Sequence, residues 1–189
     1  MKRIVLFASG SGTNAENIIR YFQNKGSAQV SAVFTNKRDA AVIDRCNRLK
    51  TPVLYFNRTA FQQEEFLLNI LQSVNPDLIV LAGFLWRIPP ALVSAYPDKI
   101  INIHPALLPK YGGKGMYGKK VHEAVLDNKE LETGITIHYV NEVYDDGAII
   151  FQESTAIGPA DSLETIMAKV HDLEYRYFPQ VIENLLFPS

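Results

Sequence analysis

Short, largely apolar runs separated by stretches of helical periodicity constrain the first half of this chain more than any other feature. The runs span residues 4–8, 30–35, 52–56 and 78–82. Apolar runs of this length are typical of parallel strands that are buried on both faces. Apolar residues at helical spacing predict helices between them, over residues 15–22, 39–49 and 60–74. The sequence therefore predicts a doubly wound, mostly parallel α/β sheet with its ligand site at the carboxyl ends of the strands.

The pattern changes in the second half of the chain. Residues 134–140 alternate as a strand that places Thr136, His138 and Val140 on one face. An acidic turn follows, and residues 148–152 form another strand. This return predicts an antiparallel hairpin near the carboxyl-terminal part of the sheet.

Two helices carry specific expectations. In the helix over residues 60–74, four side chains are expected to face the core: Phe66, Leu67, Ile70 and Leu71. A long helix is expected over residues 161–186, and Pro179 is expected to divide it.

The composition is that of one globular domain, which we expect to span residues 1–189. The net charge of −1 gives no electrostatic reason to expect a nucleic-acid partner. No apolar segment is long enough to cross a membrane. The single cysteine, Cys46, cannot form an intramolecular disulfide and is expected in the core. These features favour a cytoplasmic location.

A glycine-rich loop over residues 9–14, with the sequence Ser-Gly-Ser-Gly-Thr-Asn, joins the first strand to the first helix. In such a unit, backbone N–H groups and the helix amino terminus converge where an anion such as phosphate can bind. The loop lacks the full dinucleotide fingerprint and the Gly-Lys ending of a P-loop. A purely structural turn explains the same residues equally well.

The loop that follows the fourth strand, over residues 83–90, contains Phe84, Trp86, Arg87 and two prolines. Its position at a strand's carboxyl end suits a wall for a flat heteroaromatic ligand. The same aromatic residues are also compatible with simple packing in the core.

Asn102 and His104 lie two residues apart in the apolar run of residues 99–104, so their side chains share one face of a short strand. Pro105 ends this strand. An amide donor beside a titratable imidazole at a strand's end has the makings of a catalytic site. A strand-end histidine with a turn-capping asparagine is the alternative.

Five segments in this order resemble the phosphoribosylglycinamide formyltransferase family. They are the loop of residues 9–14, residues 81–84, residues 102–111, residues 136–138, and Asp145 with Gly147. The Asn-x-His-Pro motif with a downstream aspartate is shared by the wider folate-dependent formyltransferase superfamily, whereas the glycine loop and the chain length favour this branch. The resemblance covers essentially the whole chain and implies a Rossmann-like formyltransferase fold.

The resemblance implies transfer of the formyl group of 10-formyltetrahydrofolate to the primary amine of glycinamide ribonucleotide, a step of purine synthesis. Its catalytic residues would be Asn102, His104 and Asp145. Asn102 and His104 would donate hydrogen bonds to the formyl oxygen. Asp145 would orient His104, raise its pKa and help relay the proton to the departing folate nitrogen. No metal is implied.

The resemblance also assigns the binding residues. Those implied for the ribonucleotide are Gly12, Thr13, Asn14, His171 and Glu174. Those implied for the folate are Leu85, Trp86 and Ile88, joined by Asn102 and by the loop of residues 141–145 with Asp145. His138 is a supporting candidate, although a structural strand histidine explains it equally well.

Two segments depart from the family pattern. Trp86 and Arg87 stand where an arginine followed by an aliphatic residue is expected, which affects the register of the pterin loop. The basic, glycine-rich segment over residues 114–120 is longer than the compact loop of the family, and we expect it to be a surface loop beside the site.

Three other functions use parts of the same residue set. A 10-formyltetrahydrofolate deformylase needs the same Asn, His and Asp, with water as the nucleophile, but carries an additional regulatory domain. Transfer to methionyl-tRNA would need a further domain and a basic surface. A non-catalytic nucleotide-binding module would keep the glycine loop alone. The sequence leaves monomer and homodimer equally open.

Overall fold

The computed structural model describes residues 1–188, apart from the side chain of residue 64. The strands are β1 (Lys2–Phe7), β2 (Ala28–Thr35), β3 (Val53–Tyr55), β4 (Leu78–Leu81), β5 (Ile100–His104), β6 (Glu132–Tyr139) and β7 (Ile149–Ala156). The helices are α1 (Thr13–Lys25), α2 (Val42–Arg48), α3 (Arg58–Gln62), α4 (Glu64–Val74), α5 (Pro90–Ala95), α6 (Lys119–Asp127) and α7 (Leu163–Leu186). Within residues 1–188, no helix has the length and apolar character needed to cross a bilayer.

The seven strands form one sheet in the order β3-β2-β1-β4-β5-β6-β7. The first five strands in this order pair in parallel. β6 pairs antiparallel with β5, and β7 pairs antiparallel with β6. The predicted doubly wound, mostly parallel sheet with an antiparallel hairpin is confirmed.

The strand order places a topological switch point between β1 and β4. After β1 the chain moves outward to β2 and β3, and then returns to the other side of β1 to form β4 and β5. The loops that leave β1 and β4 therefore turn in opposite directions and open a crevice between them. Open α/β sheets bind ligands in such a crevice.

Helices cover both faces of the sheet, each over its own hydrophobic core. On one face, α1 and α7 pack on alternate residues of the strands, and Cys46 of α2 is fully buried there as predicted. On the other face, α3, α4 and α5 cover a core rich in phenylalanine, in which the Phe7 and Phe34 rings lie 5.0 Å apart. The sheet is therefore buried on both sides, as its apolar runs require.

The helix predicted over residues 60–74 is two helices, and this part of the prediction was wrong. Asn57 caps α3 by accepting a hydrogen bond from the Ala60 N–H, so this helix begins early. Gln63 is extended and interrupts the helical hydrogen bonds. The restarted helix α4 buries Leu67 and Leu71, which are four residues apart, but leaves Phe66 39% exposed.

Other predicted bounds shift by a few residues. The helix expected over residues 39–49 is confined to α2, and the last strand extends through β7 to Ala156. Helix α5 was not predicted, because its two adjacent prolines suggested a loop. Pro90 occupies the first turn of that helix, where a missing N–H costs no hydrogen bond.

Pro179 does not divide the last helix, contrary to the sequence-based expectation. α7 runs without interruption from Leu163 to Leu186. Proline has no N–H, so it leaves the carbonyl oxygen four residues earlier, on Tyr175, without its helical donor. The Asn17 side chain on α1 donates a hydrogen bond of 2.8 Å to this oxygen. An interhelical bond thus replaces the helical bond that Pro179 removes.

Replacing Asn17 by Ala is expected to lower the free energy of unfolding by about 1 kcal/mol, because the Tyr175 carbonyl loses its donor. Urea denaturation measures this loss. In a Pro179→Ala background the new N–H supplies the helical bond, so the same Asn17→Ala change is expected to cost almost nothing. Equal losses in the two backgrounds would contradict the compensation.

Candidate active site

One cavity of about 760 Å³ lies at the switch point, within the range typical of small-molecule sites. The loops that follow β1, β4, β5 and β6 form its walls, and α7 closes one side. Every candidate site residue from the sequence lines it: Gly12, Thr13, Asn14, Leu85, Trp86, Ile88, Asn102, His104, His138, Asp145, His171 and Glu174.

The β5–β6 ladder brings the central polar residues together. Asn102 pairs directly with His138 across the two antiparallel strands, and His104 pairs with Thr136. Because side chains alternate along a strand, all four lie on the same face of the sheet. The intervening isoleucines of both strands face the opposite core, against α7.

A backbone carbonyl determines the tautomer of His104. Its Nε2 lies 2.7 Å from the carbonyl oxygen of Tyr111, which can only accept a hydrogen bond. Nε2 therefore carries the proton, and the neutral ring presents an unprotonated Nδ1 to the cavity. Nδ1 lies 3.5 Å from Oδ2 of Asp145. Protonation at Nδ1 would give His104 a second hydrogen bond, to this carboxylate.

Asp145 is held by the backbone as well as by its neighbours. It has a left-handed conformation with φ of 53°, and its Oδ2 accepts a 2.9 Å hydrogen bond from the Gly113 N–H. Burial alone would raise the pKa of Asp145, but its interactions with His138 and His104 and the bond from the Gly113 N–H together lower it. Asp145 is therefore a carboxylate at neutral pH.

The pKa of His104 is lowered overall, although Asp145 acts to raise it, as expected. Burial is the largest cause, since the side chain is almost wholly enclosed. Asp145 and the Tyr111 carbonyl act in the raising direction, whereas His138 acts with burial. The net effect keeps the imidazole neutral and ready to accept a proton.

His138 orients the amide of Asn102. Its Nδ1 donates to the Tyr139 carbonyl oxygen at 2.8 Å, so Nε2 is the acceptor on the cavity side. The Asn102 Nδ2 lies 3.1 Å from this Nε2 and 3.5 Å from Oδ1 of Asp145. One amide hydrogen is thus well bonded, and the other has only a long contact.

The other end of the cavity joins α1 to α7. Thr13 Oγ1 lies 3.0 Å from Nε2 of His171, and the Asn14 amide donates to Glu174 at 2.9 Å. Burial raises the pKa of Glu174 to about 7, although the bond from Asn14 acts against this rise. Burial also lowers the pKa of His171, against the raising effect of Asp172.

The loop of residues 83–90 departs in detail from the expectation. The Leu85 N–H donates to Oγ of Ser9 at 2.9 Å and is therefore already bonded. Trp86 packs on Phe61, 5.0 Å away, with the Arg58 guanidinium 4.8 Å from its ring. Arg87 is exposed and donates to the Glu142 carbonyl, which ties this loop to the one that carries Asp145. Ile88 is buried.

The basic segment after Gly113 contributes to the cavity wall. Residues 114–118 line the opening, with the Lys114 side chain exposed, and the last two residues of the predicted loop begin α6. The Lys120 ammonium lies 5.5 Å from the ring of Tyr117. The lysines of this segment are solvated, as expected.

Sequence reasoning missed the groups that orient the site residues, most of which belong to the backbone. The carbonyl of Tyr111 and the N–H of Gly113 contact His104 and Asp145, and any residue type supplies such groups. Thr136 was noted only for its face. Its hydroxyl donates to Ala106 and accepts from Leu108, and so fixes the turn after β5. Its polarity within an apolar strand was the available signal.

At about pH 7, His104 is expected to be neutral with its proton on Nε2, because the Tyr111 carbonyl holds that proton. Long-range ¹H–¹⁵N spectra of ¹⁵N-histidine protein report the tautomer, and His138 is the internal control with its proton on Nδ1. Asp145→Asn should lower the titration midpoint of His104 further, since the carboxylate raises it. A proton on Nδ1 of neutral His104 would contradict the geometry.

A family model and sequence relatives match almost the whole of this chain. The family model described as "Formyl transferase" matches residues 2–182. The phosphoribosylglycinamide formyltransferase of Haemophilus influenzae is 37% identical over 97% of this chain and 86% of its own length. That of Bacillus subtilis is 37% identical over 98% of this chain and 95% of its own length. The chloroplastic enzyme of Arabidopsis thaliana is 36% identical over 96% of this chain, which spans 64% of that relative.

Solved structures with a similar fold carry the same enzyme name. Phosphoribosylglycinamide formyltransferase from Bacillus halodurans has a TM-score of 0.88 and 36% identity, covering 99% of this chain and 96% of that one. The Brucella melitensis enzyme has a TM-score of 0.89 and 31% identity, covering 100% of this chain and 97% of that one. With the family model matching nearly every described residue, this chain belongs to the formyl transferase family.

Proposed function

We propose that this protein transfers the formyl group of 10-formyltetrahydrofolate to the primary amine of glycinamide ribonucleotide, in purine biosynthesis. The observation that carries the proposal is the convergence of Asn102, His104 and Asp145 in one cavity, with contacts of 3.5 Å to Asp145 from both partners. The names of the relatives support the same reaction.

The chemistry begins with the nucleophile. A neutral amine attacks the formyl carbon, a new C–N bond forms, and negative charge develops on the formyl oxygen. The amine must lose a proton, and Nδ1 of neutral His104 is the free acceptor in the cavity. Asp145, 3.5 Å away, stabilises the imidazolium that results.

Collapse of the tetrahedral species breaks the bond between the formyl carbon and the folate nitrogen. The departing nitrogen takes the proton that His104 held, directly or through water, so the imidazole returns to its neutral state. The proton is thereby conserved within the site. Donation from His104 to the formyl oxygen, as the family resemblance implies, requires this protonated form.

Asn102 is suited to stabilise the developing oxyanion. His138 occupies one hydrogen of its amide at 3.1 Å, which fixes the plane of the group. The other hydrogen has only the 3.5 Å contact to Asp145 and can turn to a stronger acceptor. In this proposal His138 positions Asn102 without touching the reacting atoms.

The acceptor end is assigned to α1 and α7. The backbone of Gly12, Thr13 and Asn14 would hold the phosphate at the start of α1. Glu174 would accept hydrogen bonds from the ribose hydroxyls, with His171 beside it. Burial supports this role for Glu174, since among the described residues its carboxylate accepts from Asn14 alone and has capacity for more hydrogen bonds.

The donor end is assigned to the loops after β4 and β6. Leu85, Trp86 and Ile88 would form an apolar wall for the pterin, and the loop of residues 141–145 would face it. The Leu85 N–H is bonded to Ser9, so other backbone groups of this loop would read the pterin edge.

We also propose that residues 1–189 act as one domain, in the cytoplasm, as a monomer or homodimer. A single sheet takes strands from both halves of the chain, which supports one folding unit. The one cysteine is free and buried, which suits a reducing compartment.

The decisive assay mixes the protein with 10-formyltetrahydrofolate and follows tetrahydrofolate, with and without glycinamide ribonucleotide. Release is expected only with the ribonucleotide, in step with formylated product. Asn102→Ala should lower kcat by about 10²–10³ while leaving the urea midpoint near that of the wild type. Release in water alone would identify a deformylase, and its absence under both conditions would overturn the proposal.

Ribonucleotide binding is expected to tighten as the pH rises through the Glu174 pKa of about 7. The carboxyl is protonated below that value and becomes a full acceptor above it, so KM for the ribonucleotide should fall between about pH 6 and about pH 8. Glu174→Gln should flatten this part of the profile. The substrate's own ionisations are the same with both proteins. If the wild type and Glu174→Gln have the same pH dependence of KM, Glu174 is not its cause.

A further inference from the structure

We propose that Arg45, which lies on α2 outside the cavity, is a positioning residue for phosphate recognition. Its guanidinium holds the peptide between Ser11 and Gly12 so that the N–H group faces the ligand, and it strengthens that N–H as a donor. The proposal rests on the function proposed above, in which the glycine loop binds the phosphate of the acceptor.

Two carbonyl groups of the glycine loop, those of Gly10 and Ser11, accept hydrogen bonds from α2. The Val42 N–H, at the start of this helix, donates to the Gly10 carbonyl at 3.3 Å. Nε of Arg45 donates to the Ser11 carbonyl at 2.7 Å. Within residues 1–188, Arg45 is the one lysine or arginine whose side chain hydrogen-bonds to this loop.

Because peptides are planar, these two bonds also fix the direction of the N–H groups of Ser11 and Gly12. In a planar trans peptide, the carbonyl of one residue and the N–H of the next point in opposite directions. With the Gly10 and Ser11 carbonyls turned toward α2, the N–H groups of Ser11 and Gly12 turn away from it. That side is the cavity, which residues 10–14 line.

The guanidinium also adds charge where the loop has none. A cation on the Ser11 oxygen polarises the amide and makes its other end, the Gly12 N–H, a stronger donor to an anion. A charge behind the peptide achieves this without occupying the space that the ligand needs. This supplies a cationic influence to a loop whose sequence, Ser-Gly-Ser-Gly-Thr-Asn, contains no basic residue.

Glu16 on α1 holds Arg45 in place. Its carboxylate is hydrogen-bonded to Arg45 and, on the other side, to Arg20. Bonds from Arg20 and then Arg45 lower the pKa of Glu16, so it is an anion at neutral pH. The Arg45 side chain is only 28% exposed. The guanidinium is thus clamped between Glu16 and the loop carbonyl.

The glycine loop packs closely against the start of α2. Gly12 has φ of 73°, and a Cβ there would lie 2.4 Å from a methyl group of Val42. The loop therefore rests directly on the helix that carries Arg45. A change at Arg45 acts on a loop whose other contacts remain.

Arg45→Gln is expected to raise KM for the ribonucleotide about tenfold, because a charge-assisted bond is lost. The kcat and the KM for the folate should stay within about twofold of the wild type. Arg48→Gln is the matched control: Arg48 lies on the same helix, carries the same charge and is 4.0 Å from Glu16, but bonds to no loop carbonyl. It should leave KM unchanged.

A phosphate-free acceptor separates recognition from general damage. With glycinamide riboside, Arg45→Gln and the wild type should have the same kcat/KM, since the phosphate contacts are absent. Arg45→Lys keeps the positive charge but loses the planar guanidinium group, so it should retain part of the ribonucleotide affinity that Arg45→Gln loses. Equal losses with both acceptors, or an unchanged KM for the ribonucleotide, would overturn the proposal.

A direct probe keeps this test independent of the catalytic assay. Inorganic phosphate titrated into the ¹⁵N-labelled wild type should shift the amide signals of Ser11 and Gly12, and the shift should weaken in Arg45→Gln but persist in Arg48→Gln. The phosphate titration gives the same expected result whether or not the protein formylates glycinamide ribonucleotide. An equal shift in all three proteins refutes the role of Arg45, whereas turnover alone decides the proposed function.

Discussion

The register of the β5–β6 ladder is the constraint on which the rest of the site depends. Asn102 faces His138, and His104 faces Thr136, only because these two strands run antiparallel in this one alignment. A slip of one residue would turn the polar set into the apolar core and bring isoleucines to the cavity. The isoleucines packed against α7 resist such a slip, so the hydrophobic core on one face holds the polar groups on the other.

Within that frame, Asp145 places a carboxylate beside the imidazoles of His104 and His138. A buried carboxylate needs compensation, and it receives a backbone N–H from Gly113 and close approaches from His104 and His138. Gly147 allows the chain to turn back at this point, since a Cβ there would lie 1.7 Å from the Tyr139 carbonyl. The same burial that keeps His104 neutral makes the Asp145 charge effective when the ring gains a proton.

Sequence periodicity predicted most of this architecture, because apolar runs and helical spacing report burial directly. It failed where a partner distant in sequence decides the outcome. Pro179 was expected to divide the last helix, but Asn17 satisfies the carbonyl that it leaves free. Asn102 and His104 were singled out by their chemistry and spacing, and the family resemblance supplied the other candidate residues. The groups that orient them, such as the Tyr111 carbonyl, belong to the backbone and leave no trace in residue type.

The two ends of the cavity are supported by different parts of the fold, and this separates their chemistry. His104 and Asn102 are held by the sheet, whereas Glu174 and His171 depend on the packing of α7 against α1. The Asn17 bond lies in that same helix pair, four residues or fewer from Asn14 and Glu174 in each helix. In the proposed function, a loss of packing there would weaken recognition of the acceptor before it disturbed the proton-transfer groups. Binding and chemistry are therefore open to separate change by substitution.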